Sequence, residues 1–205
     1  MKLYTFILLF AMTLSLGSFV PQADGYKVGD YATNFNLKNV DGAMVSLSDY
    51  GDAQGFIVVF TCNECPYAKL YQDRINDLNR KYESKGFPVI AINPNDPQRS
   101  PADSYEKMQA RAQEKDYTFP YLVDETQEIT RTYGATNTPH VYILDKEDED
   151  KFRVAYIGTI DNNYKDAEKA DKHYVQDAVD ALLQGQEVTT TNTKAIGCTI
   201  KWSNV

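Results

Sequence analysis

Cysteine is nearly absent from this chain: 205 residues contain three, Cys62, Cys65 and Cys198. An odd count with one close pair does not describe a framework of structural disulfides, which uses paired cysteines at wider spacing. The loop between Cys62 and Cys65 is also too short to restrain an unfolded chain much. Histidine is as scarce, with only His140 and His173. No second Cys pair or His pair sits at zinc-site spacing, so a metal pair is the weaker reading of Cys62 and Cys65. Positive charge is in deficit, with 21 Lys and Arg against 29 Asp and Glu and a formal net charge of -8. Binding phosphates needs clustered Lys and Arg, so nucleic acid is not an expected partner. Internal repeats and low-complexity linkers are missing too, which predicts a single folded domain.

Long apolar runs are confined to the start. Lys2 is the only charge before Asp24, and Leu3 to Val20 is mostly apolar. A basic start, an apolar segment and small residues after it predict a secretory signal peptide over 1–23. Cleavage is expected after Gly17, with Pro21-Gln22-Ala23 as a second site. An uncleaved membrane anchor is the alternative; no Cys lies near these sites, so a lipoprotein anchor is not expected. No other segment has the length and apolarity to span a bilayer. The expectation is an exported protein, periplasmic or secreted, with its domain over 24–205. Disulfides persist in such a compartment.

Along that domain, Asn34 to Leu37 and Met44 to Leu47 read as strands around an Asp41-Gly42 turn. Phe56 to Thr61 reads as a buried strand. A helix from about Cys65 to Lys85 carries Tyr71, Ile75, Leu78 and Tyr82 on one face, with Gly86 as its cap. Phe87 to Ile92 completes a βαβ unit. Ser100 and Pro101 predict a helix start, with Asp103 in its first turn. Phe119 to Val123 reads as extended, and Asp124 to Gln127 as a capping box with Asp124 as the cap. His140 to Leu144 and Phe152 to Ile157 read as strands around a solvated turn at 146–151. Asp171 to Gln184 reads as a last amphipathic helix. The apolar residues Ile196, Cys198, Ile200 and Trp202 predict a tail that packs back.

The chemistry concentrates in Phe56-Ile57-Val58-Val59-Phe60-Thr61-Cys62-Asn63-Glu64-Cys65-Pro66. An apolar strand ends in Cys-x-x-Cys and a helix follows, so two thiols meet the unpaired N–H groups of a helix start. Such a setting stabilises a thiolate. Cys62 is the expected nucleophile and Cys65 the thiol that attacks it in turn. Glu64 opposes thiolate formation if it faces the sulfur. Cys198 is either a third redox thiol or a small buried hydrophobe. His140 either faces Cys62 or begins a strand, and the strand reading is preferred. His173 is expected to face solvent. Lys69 and Arg131 are candidate cations near the thiols, or part of a solvated helix face.

Several segments together resemble the alkyl hydroperoxide reductase and thiol-specific antioxidant family, in its peroxiredoxin-like branch. They are Val28-Gly29-Asp30-Tyr31-Ala32, Phe35-Asn36-Leu37, Asp41-Gly42, Val45-Ser46-Leu47-Ser48-Asp49, Cys62 to Tyr67, Ala91 to Asp96, Phe119 to Gln127, Tyr133 to Pro139, and Gly197 to Trp202. The resemblance implies an α/β thioredoxin fold, a central mixed sheet flanked by helices with an N-terminal hairpin. It also implies a cis Thr138-Pro139 bond beside the cysteines, whose backbone edge positions an extended substrate. The chain departs from the family pattern Pro-x-x-x-Thr-x-x-Cys: if Cys65 aligns with the peroxidatic Cys, Cys62 fills the Thr position and Val58 the Pro position. It also departs from Trp-Cys-Gly-Pro-Cys, with Thr61 and Asn63-Glu64 in place of Trp and Gly-Pro. The expected activity is thiol–disulfide exchange through Cys62 and Cys65. A thiol-dependent peroxidase is the alternative, with Cys65 or Cys62 peroxidatic and Cys198 a possible resolving thiol. A non-catalytic redox-fold binding module is the third reading. No organic cofactor or metal is expected; the expected partners are a redox partner protein and a client disulfide or peroxide.

Overall fold

The structure is a computed structural model that describes residues 25–149 and 151–203. The leader expected over 1–23 lies outside the described residues. In chain order the elements are β1 (Tyr31–Ala32), β2 (Asn36–Asn39), β3 (Met44–Ser46), β4 (Gly55–Phe60), α1 (Pro66–Tyr82), β5 (Val89–Asn93), α2 (Tyr105–Glu114), β6 (Tyr121–Val123), α3 (Glu128–Tyr133), β7 (Asn137–Thr138), β8 (His140–Asp148), β9 (Lys151–Gly158), α4 (Tyr174–Leu183) and β10 (Cys198–Thr199). No helix among the described residues is long and apolar enough to cross a membrane.

Every residue of β4 is buried, because the strand lies inside an eight-stranded sheet of order β1-β9-β8-β4-β5-β6-β2-β3. Its side chains alternate between two cores. Ile57 and Val59 join Tyr71, Ile75, Leu78 and Tyr82 of α1 and Val175 and Val179 of α4. Phe56, Val58 and Phe60 face the opposite layer with Tyr133, Tyr142 and Phe152. Full burial of side chains this size contributes roughly 1.5–3 kcal/mol each, so β4 is the strand the fold is built on. Gly55 opens it because a Cβ there would come within 2.2 Å of the Leu144 carbonyl oxygen.

The βαβ unit forms as the sequence predicts. β4 pairs with β5 in parallel, Ile57 opposite Val89, and α1 ends through a 3-10 turn at Gly86 with φ +87°. The N-terminal hairpin β2–β3 joins the far edge through β6. On the other side β8, β9 and β1 run antiparallel.

Three local expectations are corrected. The helix expected from Ser100 is split, with a 3-10 turn over Pro101–Asp103 and then α2 from Tyr105. The Ser100 hydroxyl donates to the Asp103 carboxylate instead of capping a helix. Asp124 is not the cap of α3, which starts at Glu128 after Gln127 with φ +60°. Asp124 accepts hydrogen bonds from the Thr130 amide and hydroxyl. The ladder between β8 and β9 runs on to Asp148 opposite Lys151, because Arg153 pairs with Asp145 and Glu147 along it. The acidic stretch is therefore mostly strand.

The tail packs back as predicted, and its Cys198–Thr199 pairs antiparallel with Asn137–Thr138. Ile200 is buried, and Trp202 lies against Arg131, 4.4 Å from guanidinium carbon to ring centre.

Candidate active site

The end of β4 and the start of α1 bring Cys62 and Cys65 together, 6% and 3% exposed. They form one small cluster with Ala68, and Tyr67 and Cys198 pack against it. All three cysteines are free thiols. The Thr138-Pro139 peptide is cis, as the resemblance implied, and Thr138 touches both thiols of the pair. Cys62 Sγ lies 3.1 Å from Thr138 Oγ1, and Cys65 Sγ lies 3.1 Å from the Thr138 carbonyl oxygen. The tail closes the other side, where the Cys198 amide donates to Cys65 Sγ at 3.3 Å.

The helix start falls one step later than the sequence suggests, and this corrects the expected electrostatics. Cys65 stands at the N-cap position of α1, with Pro66 as the first helical residue. The hydrogen bond with Cys62 is the largest influence on Cys65. The Cys198 thiol and the Ala68 and Cys198 amides add to it and outweigh burial, so the Cys65 thiol is lowered to about 5. Cys62 moves the other way. Its hydrogen bond to Cys65, its burial and the Asp103 carboxylate all push its thiol up. Both shifts favour a thiolate on Cys65 over one on Cys62. Burial, then the bond to Cys65, push Cys198 up to about 11. Glu64 is exposed, and the carboxylate that acts on Cys62 is Asp103.

Asp103 is the residue that sequence reasoning missed. It is 2% exposed. Its carboxylate accepts from the Asn63 amide at 2.6 Å, the Asn95 side chain at 2.8 Å and the Ser100 hydroxyl at 2.6 Å. Asn63, between the two cysteines, is held further by Ala102, Tyr121 and Arg111. The one available signal was Asn93 at the end of an apolar strand, with Asn95 two residues on.

The remaining candidates lie elsewhere. His140 is buried, its ring packs on Tyr142, and its Nδ1 faces the Thr136 amide. Burial lowers it to about 4, and the strand reading holds. His173 is exposed just before α4. Lys69 is exposed, and Arg131 lies over Trp202. Among the described residues, no three His, Cys, Asp or Glu side chains group to hold a metal ion.

Residues 28–149, from before β1 to the end of β8, match the AhpC/TSA family. The chain belongs to the AhpC/TSA family. A solved structure of an uncharacterized conserved protein from Geobacillus kaustophilus is 36% identical, with a TM-score of 0.81 over 93% of this chain and 100% of that one. The thiol-disulfide oxidoreductase ResA of Bacillus thuringiensis subsp. konkukian (strain 97-27) is 26% identical over 136 residues, 66% of this chain and 73% of that protein. A thiol:disulfide interchange protein of the thioredoxin family from Chlorobium tepidum TLS is 16% identical, with a TM-score of 0.56 over 78% of this chain and 99% of that one. That last likeness concerns the fold, which is the thioredoxin fold. As a member of the AhpC/TSA family the chain is an oxidoreductase.

Proposed function

We propose that the chain is an exported thiol–disulfide oxidoreductase that works through Cys62 and Cys65. The observation that carries this reading is the pair itself: two buried, hydrogen-bonded thiols shifted in opposite directions against a cis-proline. The Cys65 thiolate attacks one sulfur of a client disulfide. A mixed disulfide forms on Cys65 and the other client sulfur leaves as a thiolate. Cys62 then attacks Cys65 Sγ, and the second client sulfur departs, taking up the Cys62 proton. The client gains two electrons, and the chain is left with a Cys62–Cys65 disulfide. A redox partner protein restores the dithiol by the reverse exchange. This order exchanges the roles expected from the sequence, because the helix start favours Cys65. The leader expected from the sequence over 1–23 supports an extracytoplasmic setting, where client disulfides exist.

Cys65→Ser should reduce client-disulfide turnover by at least about a thousandfold, as loss of the attacking thiolate requires. Insulin reduction with a dithiol regenerant measures it, and wild-type turnover by the variant would remove Cys65 from the mechanism.

A peroxidase is the second reading, favoured by a lowered thiol at Cys65-Pro66 within an AhpC/TSA chain. There Cys65 attacks the peroxide, becomes a sulfenic acid and is resolved by Cys62 with loss of water. Cys62 fills the position of the family Thr that helps hold the peroxide, so disulfide exchange is preferred. Reduced protein should lose thiols to hydrogen peroxide at a rate within about tenfold of free cysteine. A rate several orders of magnitude higher would install the peroxidase reading.

A further inference from the structure

The exchange reading leaves a problem of access. Both thiols are almost wholly buried, and the edge on which an extended client would lie is already filled. That edge is β7, the two residues before the cis-proline. β10 pairs with it antiparallel, Cys198 opposite Thr138 and Thr199 opposite Asn137. Asn137 Nδ2 also donates to the Gly197 carbonyl.

The fit is close. A Cβ on Gly197 would come within 2.1 Å of the Thr138 carbonyl oxygen and 3.1 Å of the Pro139 nitrogen. Glycine is thus the residue that lets this backbone pass beside the cis-proline. Beyond it, Lys201 bonds Asn95 and Asp96, and Gln127 holds Lys201 and Ser203. The docked strand brings Cys198 against Cys65, with its amide on that sulfur.

We propose that the 197–199 segment is a tethered occupant of the client edge, and that Cys198 is a second resolving thiol for Cys65. This rests on the exchange reading and deepens it. When a mixed disulfide stands on Cys65, Cys198 attacks Cys65 Sγ, and its proton passes to the departing client sulfur. The bond between Cys65 and the client breaks, the electron pair leaves with the client sulfur, and a Cys65–Cys198 disulfide forms. No further oxidant is needed, and Cys62 stays reduced. An extended client and the docked tail exclude each other on β7, so the tail leaves to admit the client and returns to release it.

The test treats three full-length proteins with glutathione disulfide: wild type, Cys62→Ser, and Cys62→Ser with Gly197→Ala. Tryptic peptides ending at Lys69 and Lys201 are then mapped by mass spectrometry. Cys62→Ser should join Cys65 to Cys198 and release glutathione, since a tethered thiol outcompetes a free one at millimolar concentration. Adding Gly197→Ala should cut that crosslink about tenfold by displacing the strand. Glutathione retained on Cys65 beside a free Cys198 would overturn the proposal, as would an equal crosslink in the protein that also carries Gly197→Ala. Wild type serves as the separate control: no Cys62–Cys65 disulfide there would defeat the exchange reading itself.

Discussion

At the scale of single residues, the chemistry is set by what surrounds each sulfur. Cys65 lies between the Cys198 amide and the Thr138 carbonyl oxygen, and the charge of Asp103 acts on Cys62. This buried carboxylate also holds Asn63, Asn95 and Ser100 around the pair. Removing it leaves four buried donors, the Asn93 amide among them, without their carboxylate, and each such loss costs about 1–3 kcal/mol without simple additivity. Asp103→Ala should therefore destabilise the protein by about 3 kcal/mol in urea unfolding. A loss under about 1 kcal/mol, the low end for one such donor, would show that Asp103 does not organise the site. The two cysteines were legible because their spacing after an apolar strand is a local pattern. Asp103 was not, since its partners lie at positions 63, 93, 95 and 100 and only the fold brings them together. The same holds for the direction of charge. With the helix starting at Pro66, one residue after the expected Cys65, it is Cys65 that lies nearest the free N–H groups.

At the scale of elements, the βαβ unit was readable because the unbroken apolar run of β4 and the apolar face of α1 are strong local signals. The tail was readable only as apolar. Its strand is two residues long and paired through backbone, which leaves no periodic trace in sequence. In both the split before α2 and the late start of α3, the side chain expected to cap the helix is engaged elsewhere: Ser100 on Asp103 and Asp124 by Thr130. Gln127, in a left-handed turn before α3, became the clamp for the tail, with its amide on Pro94 and Lys201 and its oxygen on Ser203. Gln127→Ala should loosen residues 201–203. The single tryptophan, Trp202, reports this directly: its emission should shift to the red and become more accessible to acrylamide quenching. An unchanged spectrum would mean that Gln127 does not hold the tail.

At the scale of the whole molecule, the AhpC/TSA scaffold supplies a rigid sheet that aims three thiols at one point. Two of them sit at the junction of β4 and α1, and the third arrives from the far end of the chain. The acidic surface, with a net charge of -8, suits a protein that meets other proteins in solution rather than phosphate polymers. The account turns on which sulfur carries the charge. Alkylation of the reduced protein by iodoacetamide across the acid-to-alkaline range, with each cysteine followed by mass spectrometry, measures this directly. A Cys65 thiol lowered to about 5 is a thiolate above that pH. Cys65 should then react with a midpoint near that value, while Cys62 and Cys198 stay largely unmodified until well above neutrality. A Cys65 midpoint near the ordinary thiol value of about 8.5, or Cys62 reacting first, would contradict the account.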